Sequence, residues 1–340
     1  EVCETAEFSG LDDCDIFKWQ GRCRLDDKGR MNFANSASGF EFNFTGNGVT
    51  AKLYSQSPSV MKIYIDGAEY GKITAAAGTK EYTLAEELED EPHNIKLVRL
   101  SEQIFASSGR NMSLVSVELQ GSDAQYLSKP VKDRLKIEFY GDSITCGYGV
   151  LGKSSAEDFK LETQDASLTY AYLLSDKLNA DYSFICYSGI SAVYKTNLQE
   201  YLMGDIYNRY SAADKTAWDF TDSPADIIVV NLGTNDSIAF GNGTADREEF
   251  YAGYLELLRK FRDSAPDSSI ICTYGAMGKS QPVEDAILKC VEDLNAEGDK
   301  AVYYMDFTAN NSGSAGHPNA AAHIVMAQDL YEFIKINKIC

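Results

Sequence analysis

Ile137-Glu138-Phe139-Tyr140-Gly141-Asp142-Ser143-Ile144-Thr145-Cys146-Gly147-Tyr148-Gly149 is the stretch around which the 340-residue chain is organised. An apolar run that reads as a β-strand ends at Gly141-Asp142, and a serine follows where a strand gives way to a helix. A serine placed there has its hydroxyl in the open and its backbone N–H at a helix N-terminus, where an oxyanion can be bound. Ser143 is thus a candidate nucleophile. Asp142 beside it is expected to hydrogen-bond the loop backbone rather than to react.

Downstream, apolar runs at 135–140, 182–187, 226–232, 269–274 and 301–307 alternate with helical patterns at 168–178, 248–262, 283–296 and 318–334. Near-continuous apolar strands are those of a parallel sheet buried on both faces. The βαβαβ order predicts a doubly wound three-layer α/β/α domain whose ligand sits at the carboxyl ends of the strands. Upstream, the period is two: Phe40, Phe42 and Phe44 alternate with Glu41 and Asn43, and Val49, Ala51 and Leu53 with Thr50 and Lys52. Met61, Ile63, Ile65, then Ile95, Leu97, then Val115, Val117 and Leu119 continue the pattern, with turns at 45–48 and at Asp66-Gly67. Short strands with turns at this spacing predict an all-β sandwich of jelly-roll type. The polar segment 121–134, with Pro130, separates the two patterns, so residues 1–128 are read as the sandwich domain and 129–340 as the α/β domain.

With 51 acidic against 31 basic residues and a net charge of −20, nucleic acid and anionic membrane surfaces are poor partners. No apolar run reaches the roughly 18–20 residues that span a bilayer. The chain starts at Glu1 rather than Met, as a chain does after removal of a signal peptide or trimming of its end, and an extracellular location is expected; a monomer is expected as well. The eight cysteines lack CxxC spacing, against a zinc or redox motif. Cys3, Cys14 and Cys23 crowd the N-terminus and Cys340 is last, a placement suited to disulfides; Cys186 and Cys272 lie in apolar strands and should pack as small hydrophobes.

Three strand ends carry small polar clusters: Gly141-Asp142-Ser143, Ser188-Gly189-Ile190-Ser191 and Gly233-Thr234-Asn235-Asp236. In a doubly wound sheet these ends can converge, which would bring Ser143, the Gly189 N–H and the Asn235 amide into one cleft. That is the requirement of acyl transfer: a nucleophile and two or three fixed donors for the oxyanion, each worth on the order of 3 kcal/mol. Asp236 is expected to support its loop. A base must come from three histidines. His93 falls in the sandwich domain and reads as a surface residue, and His323 falls inside the last helix. His317 precedes Pro318 on an extended segment at a helix start, where it can face the cleft, so it is the candidate general base.

Together these blocks resemble the SGNH, or GDSL-type, hydrolases. With a sandwich domain in front, the Ile137–Gly149 form of the first block, Asn231-Leu232-Gly233-Thr234-Asn235-Asp236 and His317-Pro318, the chain looks most like carbohydrate esterase family 2. The resemblance implies a serine carboxylic ester hydrolase that removes O-acetyl groups from plant cell-wall polysaccharides such as xylan and glucomannan, or from their oligosaccharides. It implies Ser143 and His317 as the catalytic pair and Ser143, Gly189 and Asn235 as the oxyanion hole. No metal or organic cofactor is implied. The wider family places an Asp two or three residues before the histidine, where this chain has Ser314 and Ala315. Some members of the resembled family hold the ring by a backbone carbonyl instead. A main-chain acceptor near Ser314 is therefore expected, and a carboxylate such as Asp306 bonded to His317 would contradict it.

Tyr194, Trp218 and Met277 are candidate substrate contacts, Tyr194 and Met277 because they follow strand ends. Two rival readings are an SGNH lipase or thioesterase and a noncatalytic polysaccharide-binding module; the first lacks an apolar lid, and the second would bind without releasing acetate.

Overall fold

A computed structural model of the chain describes residues 5–7, 16–102, 111–130, 134–222 and 224–339. Residues up to 130 form one compact unit and those from 134 another.

The first unit contains β1 (Thr5–Glu7), β2 (Lys18–Gln20), β3 (Arg24–Leu25), β4 (Met31–Asn32), β5 (Gly39–Gly46), β6 (Gly48–Ser55), β7 (Ser59–Ile65), β8 (Ala68–Ala75), β9 (Gly78–Ala85), β10 (Glu91–Arg99), β11 (Met112–Gln120) and β12 (Gln125–Tyr126). They pair antiparallel in two sheets, β3-β4-β11-β6-β9 with β1 also on β11, and β12-β5-β10-β7-β8 with β2 also on β5. The period-two sequence explains the layering. Phe40, Phe42, Phe44, Ile63, Ile95 and Leu97 from one sheet meet Val49, Ala51, Leu53, Leu114 and Val117 from the other in one core, each large side chain contributing roughly 1.5–3 kcal/mol by burial. On the opposite face Asn94 donates across the strands to Glu41 and Asn43 at 3.1 and 2.8 Å. Asp66 and Gly67, with φ of 53° and 81°, turn β7 into β8 as the two positive-φ residues of a tight hairpin.

Three expectations are corrected in this unit. The β11 alternation slips, because a bulge between Leu114 and Ser116 shifts the register; Leu114 faces the core and Val115 does not share the phase of Val117 and Leu119. His93 is buried rather than on the surface, its Nδ1 2.8 Å from Asp66 Oδ2 and its Nε2 2.9 Å from the Glu89 carbonyl. Cys23 is a free thiol donating to the Gln20 carbonyl; Cys3, Cys14 and Cys340 lie outside the described residues. Cys186 and Cys272 are buried free thiols in the second unit, as their apolar surroundings suggested.

The second unit runs β13 (Lys136–Gly141), α1 (Ser143–Cys146), α2 (Tyr170–Lys177), β14 (Asp181–Cys186), α3 (Met203–Ile206), β15 (Ile227–Asn231), α4 (Asp236–Gly241), α5 (Arg247–Ser264), β16 (Ser269–Tyr274), α6 (Gln281–Glu297), β17 (Val302–Asp306) and α7 (Ala320–Ile336). The five strands are parallel in the order β14-β13-β15-β16-β17. The five expected strands and four long helices are all present; α1, α3 and α4 are too short for periodicity to reveal. Tyr140, Ile185, Val230 and Cys272 face α5 and α6, packing on Phe250, Tyr254, Leu258 and Ile287. The alternate residues Phe139 and Phe184 pack with each other, and Phe139 meets Tyr170 of α2. α2 in turn packs on α7. Among the described residues no helix is long and apolar enough to cross a membrane.

The strand order reverses at β13, whose neighbours are β14 on one side and β15 on the other. Such a switch point opens a crevice at the carboxyl ends of the strands. The register levels those ends, Gly141 lying opposite both Cys186 and Asn231. The three polar clusters therefore begin within a few residues of one another in height above the sheet.

His323, on α7, is fully buried under this layer and its Nδ1 accepts the Tyr170 N–H at 3.1 Å. Burial first, and nearby His317 second, push its pKa down to about 3. A group whose pKa falls on folding binds fewer protons in the native state, so it withdraws stability as the pH drops below the unfolded value near ~6.5. His323→Gln, which keeps an acceptor for Tyr170, should remove about one proton from the acid-side slope, or roughly 1.4 kcal/mol per pH unit between about pH 6 and 4. Urea unfolding at several pH values measures it; an unchanged slope would show that another group controls acid stability.

Candidate active site

Ser143 is the first residue of α1. Asp142 caps that helix, its Oδ1 accepting the Ile144 N–H at 3.0 Å, and its fully buried carboxylate also faces the Asn235 amide at 3.4 Å. Across the crevice His317 approaches on the segment before α7, and its Nε2 lies 2.8 Å from Ser143 Oγ. His317 is partly buried, and burial holds its pKa below the ordinary imidazole value. Neutral imidazole with a free Nε2 lone pair is the form that can take a hydroxyl proton.

Among the described residues no carboxylate is bonded to this ring. Asp306 is committed to Lys279 at 2.7 Å, and His317 Nδ1, buried, has no hydrogen-bond partner among the described residues. The expected main-chain acceptor is present only in weakened form: the Ser314 and Ala315 backbones favour a proton on the ring without meeting Nδ1 in bonding geometry.

What holds the histidine is a backbone seam between the loop after Ser143 and the loop before α7. Ser314 N–H donates to the Gly149 carbonyl at 3.0 Å, Ala315 N–H to Glu157 at 2.8 Å and Ala320 N–H to Val150 at 3.0 Å. Within the loop, Gly313 N–H donates to the His317 carbonyl and His317 N–H to the Ser314 carbonyl, at 2.7 and 3.2 Å. Glycines let the two loops come this close. A Cβ on Gly149 would lie 2.6 Å from the Ser314 oxygen, and one on Gly152 2.1 Å from both the Ser314 nitrogen and Oγ. The seam also turns through Ala315, a non-glycine residue at φ 51°, a conformation that costs on the order of 1 kcal/mol. Tyr148 completes the support, its ring 4.5 Å from the imidazole and stacked on Phe159 at 3.9 Å. Of these residues the sequence singles out Tyr148 and Gly149, as part of the serine block, and Ser314 and Ala315, where the resembled family has an Asp; the contacts themselves join positions some 165 apart, which no local pattern reports.

The other two strand ends converge as expected. Gly189 follows β14 in the left-handed region, φ 82°. Asn235 Nδ2 donates to the Ile190 carbonyl at 2.9 Å and, over a longer 3.4 Å, to Asp142 Oδ2, which fixes the amide plane and directs both of its hydrogens. Asp236 is fully buried and accepts the N–H groups of Ala192, Val193 and Tyr194 at 2.8–3.0 Å; burial raises its pKa against those three bonds. Among the described residues nothing accepts the N–H of Ser143 or of Gly189.

The substrate-contact candidates fare differently. Tyr194 is tied into the scaffold, its hydroxyl donating to Glu249 at 2.9 Å and accepting the Asp246 N–H at 2.8 Å, at the start of α5. Trp218 does not belong to the crevice. Its ring packs on Tyr210 and carries the Lys136 ammonium at 5.4 Å, so it stands by the amino end of β13, the far end from Ser143. Met277 lies in the turn after β16, two strands from β13, and no described contact joins it to Ser143.

A serine and a neutral imidazole in contact at the switch point of a parallel sheet, with open backbone donors beside them, define a serine-hydrolase type of site. Comparison with known proteins gives its family. Residues 139–324 match the profile of the GDSL-like Lipase/Acylhydrolase family, and residues 19–123 that of the Carbohydrate esterase 2 N-terminal family. The chain belongs to the GDSL-like lipase/acylhydrolase family and carries in front of that domain the N-terminal domain of carbohydrate esterase family 2. It is 30% identical over 333 residues to the cellulase/esterase CelE of Acetivibrio thermocellus, covering 94% of this chain and 39% of that protein. It is 24% identical over 317 residues to an acetylxylan esterase/glucomannan deacetylase of Cellvibrio japonicus, covering 91% and 86%. A family two carbohydrate esterase from Clostridium thermocellum, solved in complex with cellohexaose, superposes with a TM-score of 0.87 at 27% identity, covering 94% of this chain and 98% of that one. The chain thus spans about two fifths of the length of CelE.

Gly152→Ala tests the seam. The added methyl cannot coexist with the Ser314 backbone, so the His317 loop must shift; a displacement near 1 Å is expected to lower kcat about 100-fold. KM should stay within about threefold, because Gly152 binds no substrate in this account. Gly71→Ala, where a Cβ would meet nothing within 4 Å, is the control. An unimpaired Gly152→Ala enzyme would show that the seam is not what places the base.

Proposed function

We propose that this chain is a secreted carbohydrate O-acetyl esterase acting through an acyl-enzyme on acetylated xylan, glucomannan or their oligosaccharides. The observation that carries the reading is the 2.8 Å contact between His317 Nε2 and Ser143 Oγ at the switch point of the sheet. The relatives named for acetylxylan and glucomannan deacetylation, and the similar esterase that holds cellohexaose, support the substrate class. The β-rich N-terminal unit is read as a jelly roll and the protein as a monomer.

In this reading His317 Nε2 takes the Ser143 proton as Oγ bonds to the acetyl carbonyl carbon. The carbonyl oxygen becomes an oxyanion and is met by the N–H groups of Ser143 and Gly189 and by Asn235 Nδ2, whose long 3.4 Å bond to Asp142 is exchanged for the oxyanion. Collapse breaks the bond to the sugar oxygen, which leaves with the proton from His317. Water, deprotonated by the same nitrogen, then attacks the acetyl-serine; collapse breaks the Oγ–carbon bond, Ser143 Oγ takes the proton back from His317 and acetate departs. Asp142 and Asp236 touch no substrate; they hold Ile144, Asn235 and the 192–194 backbone in place.

Acetate release from acetylated xylan, glucomannan and cello-oligosaccharides is the direct test. Ser143→Ala should lower the rate by about 10⁴-fold or more, the loss expected for removal of a nucleophile. Faster hydrolysis of long-chain than of acetyl aryl esters would assign the site to lipid or thioester chemistry instead. Polysaccharide binding that survives in Ser143→Ala, with no acetate released by the unmodified chain, would make it a binding module.

A further inference from the structure

Gln199 lies on the loop that leaves β14, eleven residues beyond Ser188. Its side chain folds back and is buried, and Nε2 donates to the Ser188 carbonyl oxygen at 2.6 Å. That oxygen belongs to the same peptide unit as the Gly189 N–H. In a planar trans peptide the C=O and N–H point in opposite directions, so a donor that fixes the one aims the other. The next carbonyl, that of Gly189, is held as well, accepting from Thr196 Oγ1 at 2.8 Å. Both peptide units at Gly189 are therefore anchored by side chains. Without them, a glycine at φ 82° could let its peptide planes rotate at little steric cost. A hydrogen bond to a carbonyl also polarises its amide and strengthens the N–H at the other end as a donor.

We propose that Gln199 is a positioning residue of the oxyanion hole, acting through the Ser188–Gly189 peptide to aim and polarise the Gly189 N–H. The proposal rests on the reading of Gly189 as an oxyanion donor. Gln199 touches no substrate; it stands behind the peptide, on the carbonyl side, while the oxyanion forms on the N–H side. Its contribution is confined to the tetrahedral state, where the negative charge develops, and leaves ground-state binding unaffected.

The test compares Gln199→Leu and Gln199→Glu with the unmodified chain and Ser143→Ala, using an acetyl aryl ester and inactivation by an aryl phosphonate. The phosphonate delivers a tetrahedral anionic group to Ser143. Gln199→Leu should lose about 10- to 100-fold in kcat, with KM changed less than about twofold and the phosphonate inactivation rate reduced in parallel. Gln199→Glu should lose more at neutral pH, because a carboxylate then faces the Ser188 oxygen. Its rate relative to the unmodified chain should rise as the pH falls from about 8 to 5, as the carboxyl is protonated and donates again. A merely structural tie would not produce that pH-dependent recovery. Wild-type kcat in Gln199→Leu, or a Gln199→Glu ratio flat with pH, overturns the proposal while Ser143→Ala remains inactive. The Gln199→Glu ratio decides alone if Gln199→Leu does not fold. Undiminished acetate release by Ser143→Ala would overturn the site reading itself, a result distinct from failure of the Gln199 proposal.

Discussion

Ser143 and His317 stand 174 residues apart in the chain and 2.8 Å apart in space, and the backbone seam at Gly149 and Ser314 is what closes that distance. Serine arrives at the start of α1 and histidine on the loop before α7, near opposite ends of the α/β unit's sequence. With no acceptor in bonding geometry at Nδ1 among the described residues, the ring's own contacts are with Ser143 and Tyr148. The constraint passes instead through main-chain hydrogen bonds from Ser314, Ala315 and Ala320, and these require bare α-carbons at Gly149 and Gly152. Tyr148 then restrains the ring from one face.

This arrangement has an energetic signature. A carboxylate beside the histidine would stabilise the imidazolium that forms during attack and raise the ring's affinity for protons. Here burial dominates and lowers it, so the base remains deprotonated into mildly acid conditions and is a weaker proton acceptor when it acts. The seam supplies orientation rather than charge. In the proposed mechanism the burden of charge stabilisation falls on the N–H groups around the oxyanion, and the loops bearing them are densely tied: Asp142 caps α1, Asp236 gathers three amides, and Asn235 is oriented on Ile190.

Much of this was legible in the sequence because it is periodic or local. The apolar strands and the Phe40–Phe44 alternation follow from burial on two faces or one, and Ser143, Gly189 and Asn235 stand where strands end. Pro318 marks the end of the extended segment that carries His317, just before α7. What escaped depends on long-range or irregular geometry. The Val115 phase slip comes from a bulge, and His93 is buried because it shares the inward phase of Ile95 and Leu97 and packs on Phe44, with Asp66 at the end of the neighbouring strand bonded to its ring. Trp218 precedes its strand in the chain and so packs at the strand's amino end, and Cys23 lies in a polar turn that offers it a carbonyl. The glycines of the seam and Gln199 carry no local pattern of their own; their roles exist only once two loops meet.

The protonation of His317 tests most directly the claim that a backbone seam, and no carboxylate, holds the base. Titration of the ring by NMR in a histidine-labelled sample, with His317→Gln to assign the signal, reads it without relying on turnover. The account predicts a midpoint below the ordinary imidazole value near ~6.5, set by burial. A midpoint at or above that value would reveal an anion paired with the ring and would contradict the account.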